Sequence, residues 1–141
     1  MHRVAIDTNT LVSGLFFKGN ERVLLNRCID RKIKLILSED VIEETRNIIN
    51  RKFSNFKELI IANTLFQVIL QKSEIIKRDD YREKIDSAKR IVRDMQDSPI
   101  IAFILHSRPD FFISGDDDIL ALEDRFDTKI IRTKEFLDLI E

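Results

Sequence analysis

Short apolar runs, set apart by stretches of helical periodicity, leave this chain few folds to choose from. VAI (residues 4–6), IKLIL (33–37), EII (74–76), DFFIS (110–114) and TKIIR (128–132) are too brief for helices. Rich in β-branched and aromatic residues, they have the composition of strands covered on both faces. Between them, apolar residues recur at helical spacing. Leu11, Val12, Leu15 and Phe16 predict a helix over 9–17. Asn20 is positioned to cap a helix through about Arg31, and Ser38 a helix through about Lys52 with acids in its first turn. Ser54 is expected to cap the next, through about residue 71, whose apolar positions cover more than one face. A charged helix is predicted over 80–94, with Tyr81, Ile85, Ala88, Ile91 and Val92 as its apolar positions. Asp97-Ser98-Pro99 opens the very apolar helix PIIAFIL, Asp117–Asp124 makes a short one, and Thr133 caps the last. Strands alternating with helices predict an α/β fold on a mostly parallel sheet. With 141 residues, three Gly, two Pro and no repeat or linker, residues 1–141 form a single domain.

Composition removes several function classes. No apolar stretch approaches the roughly 18 residues a membrane span needs, so no membrane association is expected. One cysteine, Cys28, and no basic-then-apolar leader after Met1 point to the cytoplasm. His2 and His106 have no ligand at zinc-site spacing, and there is no Gly-rich phosphate loop. Ser13 and Ser114 have no histidine base beside them in sequence. A net charge of −1 provides no bulk attraction for nucleic acid, although metal ions bound at an acidic site would reverse the local sign.

Four acidic stations carry the functional signal: Asp7 in RVAIDTNT, Glu44 in LSEDVIEETR, Asp97 in RDMQDSPII, and Asp116 in FFISGDDDIL. Asp7 and Asp116 follow strands, and Asp97 heads a buried helix. Carboxylates at neighbouring strand ends converge where open α/β sheets bind ligands. Brought together they repel, unless a divalent cation neutralises them. Each has a structural alternative. Asp7 and Asp97 also suit helix caps. Glu44, at about 100° per residue, lies beside the apolar stripe of Val41, Thr45 and Ile48, whereas Glu43 points to solvent and Glu39 and Asp40 complement the helix dipole. Capping accounts for one of Asp116, Asp117 and Asp118, hardly for three.

Taken together, VAIDTNTLVSGLF, LSEDVIEETRNII, RDMQDSPIIAFIL and DFFISGDDDIL resemble the PIN (PilT N-terminus) domain family, over essentially the whole chain. The resemblance implies a three-layer α/β/α sandwich with a central five-stranded sheet. It further implies a Mg²⁺- or Mn²⁺-dependent ribonuclease acting on RNA, in many members the toxin of a toxin–antitoxin pair with an antitoxin protein as partner. The family's acids fall on Asp7, Glu44, Asp97 and Asp116 as catalytic residues. Asp7, Asp97, Asp116 and Asp118 are the implied metal ligands. Asn9 would hold a carboxylate or a metal-bound water. Ser114 stands where a threonine is commoner and keeps the hydroxyl. Gln96 makes the corner before Asp97 less acidic than usual.

Two alternatives use the same residues. Asp7-Thr8-Asn9-Thr10 and GDDD also look like the motifs of haloacid-dehalogenase-type phosphatases, with Asp7 as nucleophile, although Asn9 removes the general acid. An inactive RNA- or protein-binding PIN module is the other. The broad apolar surface of the helix at 54–71 predicts a homodimer.

Overall fold

The structure, a computed structural model, describes residues 1–92 and 94–141. Strands β1 (His2–Ile6), β2 (Ile33–Ser38), β3 (Glu74–Ile76), β4 (Phe111–Ile113) and β5 (Lys129–Ile131) form one sheet in the order β3-β2-β1-β4-β5. Every pairing in it is parallel, with Val4 opposite both Leu35 and Phe111. The expected α/β class and five-strand sheet are therefore seen directly.

Parallel strands need crossover connections, and right-handed crossovers place helices according to the direction of travel. From β1 to β2 the chain runs through α1 (Thr8–Phe16) and α2 (Asn20–Ile29), and from β2 to β3 through α3 (Glu39–Lys52) and α4 (Leu59–Lys72). It then turns back toward β4 through α5 (Arg78–Tyr81), α6 (Ile85–Lys89) and α7 (Ser98–Ser107), which cover the other face. Short α8 (Asp117–Leu120) leads to β5, and α9 (Thr133–Ile140) closes the chain on the first face. Side-chain alternation matches this layering. Val4, Ile6, Leu35, Leu37, Ile113 and Ile131 pack with α1–α4 and α9, while Ala5, Ile36, Phe112 and Ile130 pack with α5–α8.

Helix ends depart from expectation in five places, the simplest being the helix expected over Asp117–Asp124, where α8 ends at Leu120 and Glu123–Arg125 is a separate 3-10 turn. α2 starts at Asn20 itself, with Gly19 outside it and no side-chain cap. The predicted start of α4 at Ser54 is wrong, because Phe53 and Phe56 pack with Phe16 of α1, ring centroids 4.2 Å apart for Phe16–Phe53 and 4.6 Å for Phe53–Phe56. That aromatic knot holds residues 53–58 in turns, and α4 begins at Leu59. The single helix over 80–94 is instead α5, a 3-10 turn at Arg82–Lys84, and α6; Arg93 lies outside the described residues. Tyr81 is fully buried and its hydroxyl reaches α3, which anchors α5 independently of the 3-10 turn and α6. Thr133 is the first residue of α9, not its cap, which is Arg132 with no side-chain bond.

On α4, Ala62, Phe66 and Ile69 are buried, and Ile60 and Ile61 are 78% and 63% exposed. The apolar breadth read in the sequence thus divides into a core stripe and an outward pair, the side chains the expected homodimer would use. No helix among the described residues is long and apolar enough to cross a membrane.

Candidate active site

Strand order reverses between β1 and β4: the chain builds outward from β1 to β3, then returns to lay β4 against the free side of β1. The adjoining crossovers depart on opposite faces there and leave a crevice at the strands' C-terminal ends, where open α/β sheets bind ligands. Asp7 leaves β1 and Ser114–Asp116 leaves β4 at that crevice.

Asp7 is buried and caps α1, accepting the Thr10 N–H at 2.9 Å on Oδ1. Its Oδ2 accepts from the Ser114 hydroxyl at 2.5 Å. The same Ser114 oxygen accepts the Asp116 N–H at 3.0 Å, and Asp116 Oδ1 accepts the Asp118 N–H at 2.8 Å. A chain of hydrogen bonds thus runs Asp7–Ser114–Asp116–Asp118 across two strand ends. Capping does not exhaust the Asp7 carboxylate, since a carboxylate oxygen that accepts one bond keeps a second lone pair.

Asp97 comes from the other layer, at the junction of a 3-10 turn (Met95–Asp97) with α7. Its side chain makes no capping bond; Asp94 caps the preceding turn, and the Ser98 hydroxyl donates to the Met95 carbonyl at 2.7 Å. Burial pushes the Asp97 carboxyl above its ordinary pKa, and the negative charges of Asp116, Asp94 and Asp118 push it further. The capping alternative for Asp97 is not what the structure contains. It holds instead a half-buried acid facing other acids.

Of the three acids at 116–118, Asp117 is drawn outward by Arg132, whose guanidinium meets Asp117 Oδ1 at 2.6 Å. That leaves Asp116 and Asp118 without a cation of the chain's own among the described residues. Asn9 is exposed at the rim beside Gly115 and Arg132, and the bonds that hold Asp7 come from Thr10 and Ser114, not from Asn9. Glu44 is exposed on α3 and lines an adjoining cleft with Thr8, Asn47, Gln96 and Pro99. Thr8 follows Asp7 and Gln96 precedes Asp97, so Glu44 stands across the cleft from the backbone that carries those two acids. Among the described residues no three His, Cys, Asp or Glu side chains make a ready-made metal cage.

Sequence reasoning missed the cross-links that hold this cleft. Arg78 Nε meets Asp40 at 2.7 Å, its Nη2 meets Glu43 at 2.7 Å, and its N–H donates to Glu39 at 2.9 Å. Tyr81, fully buried, donates its hydroxyl to Asp40 Oδ2 at 2.5 Å; burial first and that bond second hold the phenol well above its usual pKa. Glu43, expected to be solvated, and Asp40, expected to serve the helix dipole, therefore tie α3 to α5. Only the spacing of acids at 39, 40 and 43 hinted at a shared cation.

A family model described as "PIN domain" matches residues 3–118. The chain is similar to the crystal structure of PAE2754 from Pyrobaculum aerophilum, with TM-score 0.70 and 14% identity over 99% of this chain and 89% of that one. It is also similar to VapBC2 from Rickettsia felis, solved bound to a DNA fragment from their promoter, with TM-score 0.57 and 14% identity over 92% of this chain and 97% of that one. At such identity the likeness is one of fold. No curated protein sequence matches the chain.

Proposed function

Since this chain belongs to the PIN domain family, we propose that it is a divalent-metal-dependent nuclease that hydrolyses RNA phosphodiester bonds at the carboxylates of the switch-point crevice. The observation that carries this is Asp97, a half-buried carboxyl with no capping bond. Its ionisation is disfavoured first by burial and further by the negative charges of Asp116, Asp94 and Asp118, and a cation would relieve that. The donors are hard carboxylate oxygens without imidazole or thiolate, which suits Mg²⁺ or Mn²⁺. The lack of a closed cage among the described residues fits an ion that keeps several waters and takes only one or two carboxylates directly.

Of Asp7, Asp97, Asp116 and Asp118, one or two would hold the ion directly and the others through its waters; when bound it supplies Lewis acidity toward the phosphate and acidity to a water. Ser114 fixes the relative positions of Asp7 and Asp116 through one oxygen. Glu44, on the α3 side, is assigned the orientation of the attacking water and acceptance of its proton. Asn9 at the rim is left with holding a water. The assembly of VapBC2 on DNA supports a further part of the proposal, a toxin whose partner is an antitoxin protein.

Purified protein with Mn²⁺ and end-labelled single-stranded RNA tests the central claim. Cleavage that EDTA stops, and that Asp97→Asn or Asp116→Asn removes in a folded protein, is the expected result. Intact RNA would overturn it, and hydrolysis of an aryl phosphate instead would favour the phosphatase alternative.

A further inference from the structure

Beyond the carboxylates, neutral amides line the ground next to them. Gln96 sits beside Asp97, and in the same cleft α3 presents Asn47 and Asn50 one turn apart, following Glu43 on the same helix face. Asn50 also borders a second groove with Asn63 and Gln67 of α4. The two grooves therefore adjoin at Asn50, and the five amides form a track from the acidic crevice over α3 to α4. All five residues are exposed. Gln96 uses its backbone N–H, toward Asp94, and its amide has no hydrogen-bond partner among the described residues.

Asp40, Glu43, Glu44 and Arg78 also line the first groove, with Arg78 paired to Asp40 and Glu43, and two further cations flank the track. Arg51 lines the first groove, and Arg46 lines the second with its guanidinium 5.7 Å from the centre of the Phe66 ring. Pro99 and Ile100 add apolar surface to the first groove. Each amide offers a donor and an acceptor side by side, the pattern that matches the edge of a nucleobase. Arginines suit the phosphates between bases. Bases in an RNA duplex are turned inward, so only an unpaired strand can present its edges to such a groove.

We infer that the track Gln96–Asn47–Asn50–Asn63–Gln67 is a base-reading groove for single-stranded RNA, and that it sets which sequence is presented to the carboxylates. The direction of the strand rests on the nuclease assignment, because the scissile phosphate must lie at the acidic crevice; recognition of bases along the track does not. Asn47 and Asn50 are the specificity-determining residues nearest the site.

The test measures binding without cleavage. Fluorescence anisotropy in EDTA compares labelled oligo(U), oligo(A) and oligo(C) with an abasic ribose-phosphate oligomer of the same length. The wild type binds at least one homopolymer about 10-fold more tightly than the abasic strand. Asn47→Ala/Asn50→Ala brings that homopolymer down to the abasic level, leaves abasic binding unchanged, and leaves the melting temperature unchanged because both residues are exposed. Equal binding of abasic and base-bearing strands by the wild type, or a double variant that keeps the preference, overturns the inference. If the double variant loses the preference while the wild type fails to cleave RNA in Mn²⁺, the nuclease assignment falls and the groove stands. Cleavage by a wild type that shows no base preference does the reverse.

Discussion

Ser114 concentrates the dependence of the site on a single atom. Its Oγ donates to Asp7 and accepts from the Asp116 N–H, so one hydroxyl sets the spacing of two carboxylates from different strands. Partners that orient a ligand in this way are typically worth about 10- to 100-fold in metal affinity or activity. Ser114→Ala is expected to lose that much cleavage rate, and Ser114→Thr, which keeps the hydroxyl, to recover most of it in the same initial-rate assay. Asp97 permits a sharper prediction. Its folded-state pKa is raised, so the folded protein holds this proton more tightly than the unfolded chain does. The resulting stabilisation is fully present below the unfolded carboxyl value of about 3.9 and is lost as pH rises through the folded value. Without metal, Asp97→Asn should therefore melt above wild type at neutral pH, and the gap should close as the pH approaches 4. A variant that melts lower at neutral pH would show that the Asp97 carboxylate stabilises the folded protein instead of straining it. That Asp7 and Asp116 stand at strand ends could be seen in the sequence from their place after apolar runs. That one serine joins them could not, since 107 residues separate Asp7 from Ser114.

Elements place those residues, and the contacts between helices carry their own tests. Gly14 lets α1 approach α2 closely: a Cβ there would lie 2.7 Å from Leu25 Cδ1 and 2.9 Å from the Glu21 carbonyl oxygen. Because the second of these is backbone, Gly14→Ala must push the helices apart, at a cost of about 1–3 kcal/mol read from urea unfolding. α1 begins immediately after Asp7, so the same change is expected to lower cleavage activity as well. On the opposite face, Tyr81→Phe breaks the hydrogen bond to Asp40 and should cost about 1.5–3 kcal/mol at neutral pH. With its folded pKa raised, the phenol's stabilisation is lost as pH climbs past about 10, so the deficit of Tyr81→Phe shrinks in alkaline urea titrations. An undiminished deficit there would contradict the role of Tyr81. The same contacts explain the helices misread from sequence. Periodicity reports which side chains want burial. It does not report that Phe53 and Phe56 will find Phe16, or that Tyr81 will reach a carboxylate on α3.

At the scale of the whole molecule, the negative charges around Asp97 oppose its ionisation, and a cation bound among them would relieve that opposition. An ion that binds only the folded state adds RT ln(1 + [L]/Kd), about 2.7 kcal/mol at a hundredfold excess over Kd. Mn²⁺ or Mg²⁺ should therefore raise the melting temperature of the wild type and shift Asp97→Asn less; no shift in either protein would remove the metal site. The amino-acid sequence by itself determined the layers: five buried-strand runs, helices of matching period between them, and acids at the ends of β1 and β4. Those are local properties, because hydrophobic period and residue type fix strand, helix and burial within a few positions. Only the tertiary structure decided that β4 returns beside β1, that Asp97 arrives from the other layer facing Asp116 and Asp118, and that Arg132 withdraws Asp117 from that group. Such outcomes depend on crossover handedness and long-range packing, which place side chains a hundred residues apart within one hydrogen bond of each other.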